Sequence, residues 1–183
     1  MQITNRLNTY GWLSIVFHWS SAIMVFCLFA LGLWMVELDY YSTWYHDAPF
    51  IHKSVGVLLV LLMFARFIWN LSNPKPVVLN ASKVLKVVAH TVHIFLYLLV
   101  FLLGVSGYLI STAESQPISV FTWFDVPALI TPFANQADIA GLVHKWLAYT
   151  LIALVMLHTA AALKHHFWDK DLTLKRMLKP LAN

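Results

Sequence analysis

The chain has 183 residues, 60% of them hydrophobic and only 11% charged, with a mean hydropathy of +0.72. Soluble domains carry about 25% charged residues, so this composition excludes an ordinary soluble domain and points to an integral membrane protein. A single cysteine, Cys27, excludes an intrachain disulfide, a C-x-x-C-H attachment site and an iron–sulfur cluster held by the chain's own thiolates.

Four apolar runs, approximately 12–36, 50–71, 84–110 and 139–163, each exceed the ~20 residues that cross about 30 Å of hydrocarbon as a helix. They predict an all-α, integral membrane four-helix bundle, a single transmembrane domain over 1–183. The first run is longer than the apolar core of a cleaved signal peptide, and no small-x-small site follows it. It carries His18, with Gly32 fourteen residues on. The second opens on "IHKSVG" at 51–56, with His52, Lys53 and Gly56, and has Arg66 fourteen residues after His52. "NPKP" at 73–76 is a turn, because each proline disfavours helix in the residue before it.

The third run holds His90 and His93, with Gly104 and Gly107 fourteen residues beyond them. A long loop over 111–138 follows, containing "VFTWF" and three acidic residues. Connections of this length are usually functional or partly structured. It is placed at the membrane interface, either as a cover for a site or as an aromatic belt. The fourth run has His144 and Lys145 near its start and His158 near its end. Fourteen residues is close to four helical turns, so these two imidazoles share a face within roughly 40°, about 21 Å apart. A tail over 164–183 completes the chain.

Charge gives the orientation. Arg6, Lys75, Lys83, Lys86, Lys164, Lys170, Lys175, Arg176 and Lys179 flank one set of helix ends. The other set has only Lys53 and Lys145, and its loops carry Glu37, Asp39, Asp47, Glu114, Asp125 and Asp138. The positive-inside rule places both termini in the cytoplasm. The net charge of +4 is therefore a topology signal with attraction to anionic lipid, and indicates no nucleic-acid partner.

The histidines then fall into two layers. The outer layer holds His52 and His144; the inner layer holds His158 with His18, His90 and His93. Ionisable groups at membrane depth are costly and mark function. A closed zinc site needs four ligands, and the outer layer offers two histidines with no buried thiol or carboxylate. Haem iron needs only two axial ligands from the protein. Two layers about 20 Å apart suit two stacked haems in one bundle. The glycines at fourteen-residue spacing, and Gly56, would let a flat macrocycle approach the backbone, or would serve ordinary helix packing. Arg66 is a candidate partner for an inner propionate, and Lys53 and Lys145 for outer propionates; each could instead snorkel to headgroups. Spacing leaves open which of His18, His90 and His93 faces His158.

The sequence resembles the bacterial cytochrome b561 family. The matching segments are "FHW" at 17–19, "IHKSVG" at 51–56, "AHTVHIFLYLL" at 89–99 and "VHKWLAYTLIALVMLHTAAALKHHFWDKD" at 143–171. The resemblance implies a four-helix bundle in the bacterial inner membrane with two non-covalent b haems, bis-histidine ligated, exchanging electrons with quinone. By that pattern His18 and His158 hold the inner haem, and His52 and His144 the outer one. His90 and His93 become candidates for propionate or quinone contacts. One branch of the family oxidises superoxide at the outer face and reduces ubiquinone. Here the outer loops carry six carboxylates against two lysines, a local charge of −4, which repels an anion. The readings are therefore a quinone-linked oxidoreductase, a superoxide oxidase, or a haem-bearing anchor that relays electrons for a partner dehydrogenase. No catalytic residue is assigned.

Overall fold

The computed structural model describes residues 2–77 and 82–181. Its elements are α1 (Trp12–Met35), α2 (Asp47–Ser72), α3 (Lys83–Ser111), β1 (Ile118–Val120), β2 (Phe124–Val126), α4 (Gln136–Phe167) and α5 (Thr173–Arg176). α1 to α4 are long and apolar enough to cross a membrane. Large apolar side chains such as Ile23, Phe64, Val105 and Leu157 point outward along them. In water that would be unfavourable; in lipid it is the expected solvent face, while the backbone is satisfied within each helix.

The helices overrun the apolar segments. α4 begins three residues before its run and ends four after it. Hydropathy marks where hydrocarbon ends, whereas hydrogen bonding continues until a partner is lost. The loop over 111–138 contains the β1–β2 hairpin, and the tail contains α5; neither element was expected from the sequence.

The chain forms two compact units. The terminal unit comprises Met1–Ala22, Leu62–Tyr97 and Ala153–Asn183; the loop unit comprises Ile23–Leu61 and Leu98–Ile152. Each contains a segment of all four long helices. The terminal unit holds ten of the twelve lysines and arginines, and the loop unit six of the eight carboxylates.

In the terminal unit, polar side chains join the chain ends to the helices. Asn5 Oδ1 accepts from Gly11 N–H at 2.9 Å and from Ser14 Oγ at 2.7 Å, capping the start of α1. Ser14 Oγ in turn accepts from Trp69 Nε1 of α2. Gly11 is required because a Cβ there would run into the Ile3 carbonyl. Trp19 Nε1 donates to the Met177 carbonyl, and Leu181 N–H to Thr9 Oγ1.

In the loop unit, the hairpin pairs Ile118 with Val126 and Val120 with Phe124. Its turn places Phe121 and Thr122 at φ of 46° and 61°, the positive side that primed hairpin turns use. Neither residue is glycine, so the turn needs support. Ser54 of α2 supplies it: its fully buried hydroxyl donates to the Ser119 carbonyl and accepts from Phe121 N–H. Tyr108 fastens the next stretch, accepting from Leu129 N–H and donating to the Pro127 carbonyl. Ser54→Ala leaves the Phe121 N–H without this acceptor. The expected cost is about 1–3 kcal/mol, read as a lowered melting temperature in detergent with helix content retained below it.

Candidate haem sites

The loop unit brings two of the nominated histidines together. His52 of α2 and His144 of α4 face each other with ring centroids 6.3 Å apart and planes at 67°. Both line a cavity of about 930 Å³ with Lys53, Gly56 and mostly aliphatic side chains. That volume lies near the upper end for small-molecule and cofactor pockets, about 300–1,000 Å³.

The ring chemistry at this pair suits metal ligation. Ser106 Oγ lies 3.0 Å from His144 Nδ1 and 3.1 Å from the Leu103 carbonyl. A hydroxyl has one hydrogen. With that hydrogen on the carbonyl, Ser106 accepts from His144 Nδ1–H and leaves Nε2 as the free lone pair. A metal-bound histidine ordinarily holds its other N–H in such a bond. His52 Nδ1 is buried with no partner among the described residues. Imidazole bonds a transition metal at about 2.0–2.1 Å, so two rings facing one metal have centroids roughly 6–6.5 Å apart. The observed spacing falls in that range.

The glycines divide by role. A Cβ on Gly32 would come within 3.1 Å of His52 Cε1, and one on Gly107 within 3.4 Å of His144 Cε1. These two make room for the imidazoles. A Cβ on Gly104 would collide with Val60, so that glycine serves helix packing. A Cβ on Gly56 would meet nothing, which leaves Gly56 as the glycine that keeps the cavity wall low.

The terminal unit holds the second pair. His18 of α1 and His158 of α4 lie with centroids 6.3 Å apart and planes at 61°. His93 of α3 is closer to His158, at 5.3 Å, too near for a metal between them. His90 is exposed on α3 and joins neither pair. Lys53 and Lys145 are both exposed, and only Lys53 borders the cavity.

Arg66 of α2 is turned to this second pair. Its Nη2 is 3.1 Å from His18 Nδ1, its Nη1 donates to Ser21 Oγ at 2.9 Å, and its Cζ sits 5.6 Å from the Tyr97 ring centroid. Guanidinium has donors only, so His18 Nδ1 accepts and the ring's hydrogen is on Nε2. Ring spacing fits a bis-imidazole metal here. Ligation through His18 Nε2 requires Arg66 to release Nδ1.

Another cluster lies at the end of α4. His165, Asp169 and Asp171 offer ligand atoms within 4.8 Å of one another. Lys164 Nζ, however, takes both Asp169 oxygens at 2.7 and 2.8 Å. Asp171 accepts from Thr173 N–H and pairs with His165. Burial alone would raise the Asp171 carboxyl, but these bonds and the His165 charge outweigh it and hold it below the usual range. Their stabilisation is present above the ordinary carboxylate pKa and is lost as pH falls through the lowered one. The cluster is a hydrogen-bonded brace for the tail.

Sequence reasoning did not find Ser106, Ser21 or Tyr97. Each is a polar residue within an apolar run, a signal in itself, but its target depends on helix rotation that spacing alone does not set.

Relatives match this chain over almost its full length. Residues 9–180 match the family model described as prokaryotic cytochrome b561. Cytochrome b561 homolog 2 of Escherichia coli K12 is 52% identical, across 97% of this chain and 95% of the relative. A Yersinia pestis protein named "Probable superoxide oxidase CybB" is 32% identical, across 92% and 95%. Cytochrome b561 homolog 1 of E. coli K12 is 27% identical, across 94% and 98%. The chain is a multi-pass membrane protein that belongs to the prokaryotic cytochrome b561 family, whose members carry out haem-dependent electron transfer in membranes.

Proposed function

We propose that this protein is a di-haem b-type cytochrome of the bacterial inner membrane that moves electrons between a partner at the outer face and membrane quinone. The observation that carries this is the repeated histidine pair, 6.3 Å between centroids in each unit. His52 and His144 hold one haem, and His18 and His158 the other. The terminal unit, with its excess of basic residues, faces the cytoplasm. A bis-imidazole haem, when bound, supplies one-electron transfer at its edge and leaves no iron position open to substrate.

The chain's own residues supply the rest. Ser106 fixes the His144 tautomer and ring direction. Gly32 and Gly107 seat the two rings. The aliphatic wall excludes water, which strengthens nearby charge effects. His90 and His93 remain candidates for quinone or propionate contacts. Pyridine haemochrome analysis of the purified, loaded protein should give about two non-covalent b haems per chain. One haem or none would overturn the reading. Oxidation of quinol by the protein alone distinguishes it from an anchor subunit that needs a partner dehydrogenase.

A superoxide-oxidising variant is favoured by one observation, the placement of Lys53 on the cavity border. The name of the Yersinia relative points the same way. The six carboxylates of the loop unit oppose it, so we expect superoxide to reduce the haems slowly. Should reduction instead approach about 10⁸ M⁻¹s⁻¹, it must depend on a local basic mouth. Lys53→Gln with Lys145→Gln would then slow it, and added salt would slow the unmodified protein.

A further inference from the structure

Arg176 is the most deeply buried lysine or arginine among the described residues, at 7% exposure. It closes α5 and sits in the terminal unit. Its Nη1 donates to the Val77 carbonyl at 2.8 Å, and its buried Nε has no partner. Arg66, in the same unit, has only neutral partners: Ser21, His18 and the Tyr97 ring. Trp19, the residue after His18, donates its Nε1–H to the carbonyl of Met177, the residue after Arg176, so α5 is fastened beside the Arg66–His18 contact.

No carboxylate among the described residues pairs with either arginine. The unit's two aspartates are both taken, by Lys164 and His165. A buried and a half-buried guanidinium without an anion are costly unless something of opposite charge binds there. Arginine's fork suits a planar oxyanion.

We propose that Arg176 and Arg66 form an oxyanion site that takes the propionate carboxylates of the haem held by His18 and His158. This rests on the di-haem reading above. It also resolves the tautomer conflict at His18: an anion that draws Arg66 away releases Nδ1, so the ring hydrogen can move there and Nε2 is free to bind. A lipid phosphate offers the same oxyanion chemistry, and the experiment separates the two sources.

The test is a spectroelectrochemical titration of the haem-loaded protein in nanodiscs, either pure phosphatidylcholine or phosphatidylcholine with phosphatidylglycerol. Removing a positive charge beside a propionate favours the ferric form. In Arg176→Gln, one haem should become harder to reduce by tenfold or more in its equilibrium constant, 59 mV for one electron. The other haem should be unmoved, and Arg176→Lys should restore most of the loss, in both lipids. Two unchanged potentials overturn the proposal. A shift confined to phosphatidylglycerol discs also overturns it, and assigns the site to lipid phosphate. Fewer than two haems in the unmodified protein is a different failure, that of the di-haem reading. If Arg176→Gln does not assemble, redox-difference infrared spectra with ¹³C-carboxylate haem decide. The labelled band must differ between the unmodified protein and Arg176→Lys, and an unmoved band overturns the proposal.

Discussion

Replacing His144 with alanine should reduce haem content from about two per chain to about one, and His52→Ala should remove the same haem. The two rings face one another across a spacing that fits one metal, and no third histidine lies in the loop unit's cavity lining. Losing either ring leaves at most five-coordinate iron. The double variant should therefore retain the same single haem as each parent. A pyridine haemochrome ratio and a reduced-minus-oxidised spectrum measure this directly. If the apolar cavity keeps some haem, that fraction has an open axial position and will bind carbon monoxide, which the unmodified protein will not. An unchanged six-coordinate spectrum in either variant, or removal of different haems by the two substitutions, would refute the pairing.

The features most readable from the sequence are those governed by chain periodicity. Runs above twenty apolar residues placed four helices, because length against bilayer thickness is a one-dimensional property. The fourteen-residue step from His144 to His158 gave a shared face from the helical repeat alone. What spacing could not give was rotation of one helix against another. It left His18, His90 and His93 as alternatives, and it could not show that Gly32 and Gly107 face imidazole edges. The β1–β2 hairpin was hidden for a different reason. Its turn residues, Phe121 and Thr122, carry none of the usual Asn-Gly or Gly signals. A serine 67 residues away from Phe121 supports that turn, so the information is tertiary, not local. Arg176 was read as a topology charge, and nothing in a one-dimensional pattern distinguishes a buried arginine from a solvated one.

The choice among the terminal unit's histidines gives the second large effect. His158 has two close neighbours, His18 at 6.3 Å and 61°, and His93 at 5.3 Å and 75°. Only the first leaves space for iron between the rings, since two metal–imidazole bonds need roughly 6–6.5 Å between centroids. His93 is about 1 Å too close, as a packed neighbour is. His18→Ala and His158→Ala should each remove one haem and leave the one held at His52 and His144. His93→Ala should leave both bound. Its effect should be confined to the potential of the haem held by His158, through the lost contact with that ring. The opposing argument is the Arg66 contact, which sets the wrong tautomer on His18. It loses if Arg66 has an anion to turn to, because a guanidinium gains more from a carboxylate than from a neutral ring nitrogen. Arg66→Gln removes the conflict altogether, so His18 should still bind haem in that variant. If instead His93→Ala loses a haem while His18→Ala keeps two, the ring-spacing argument fails for this pair and His93 is the ligand.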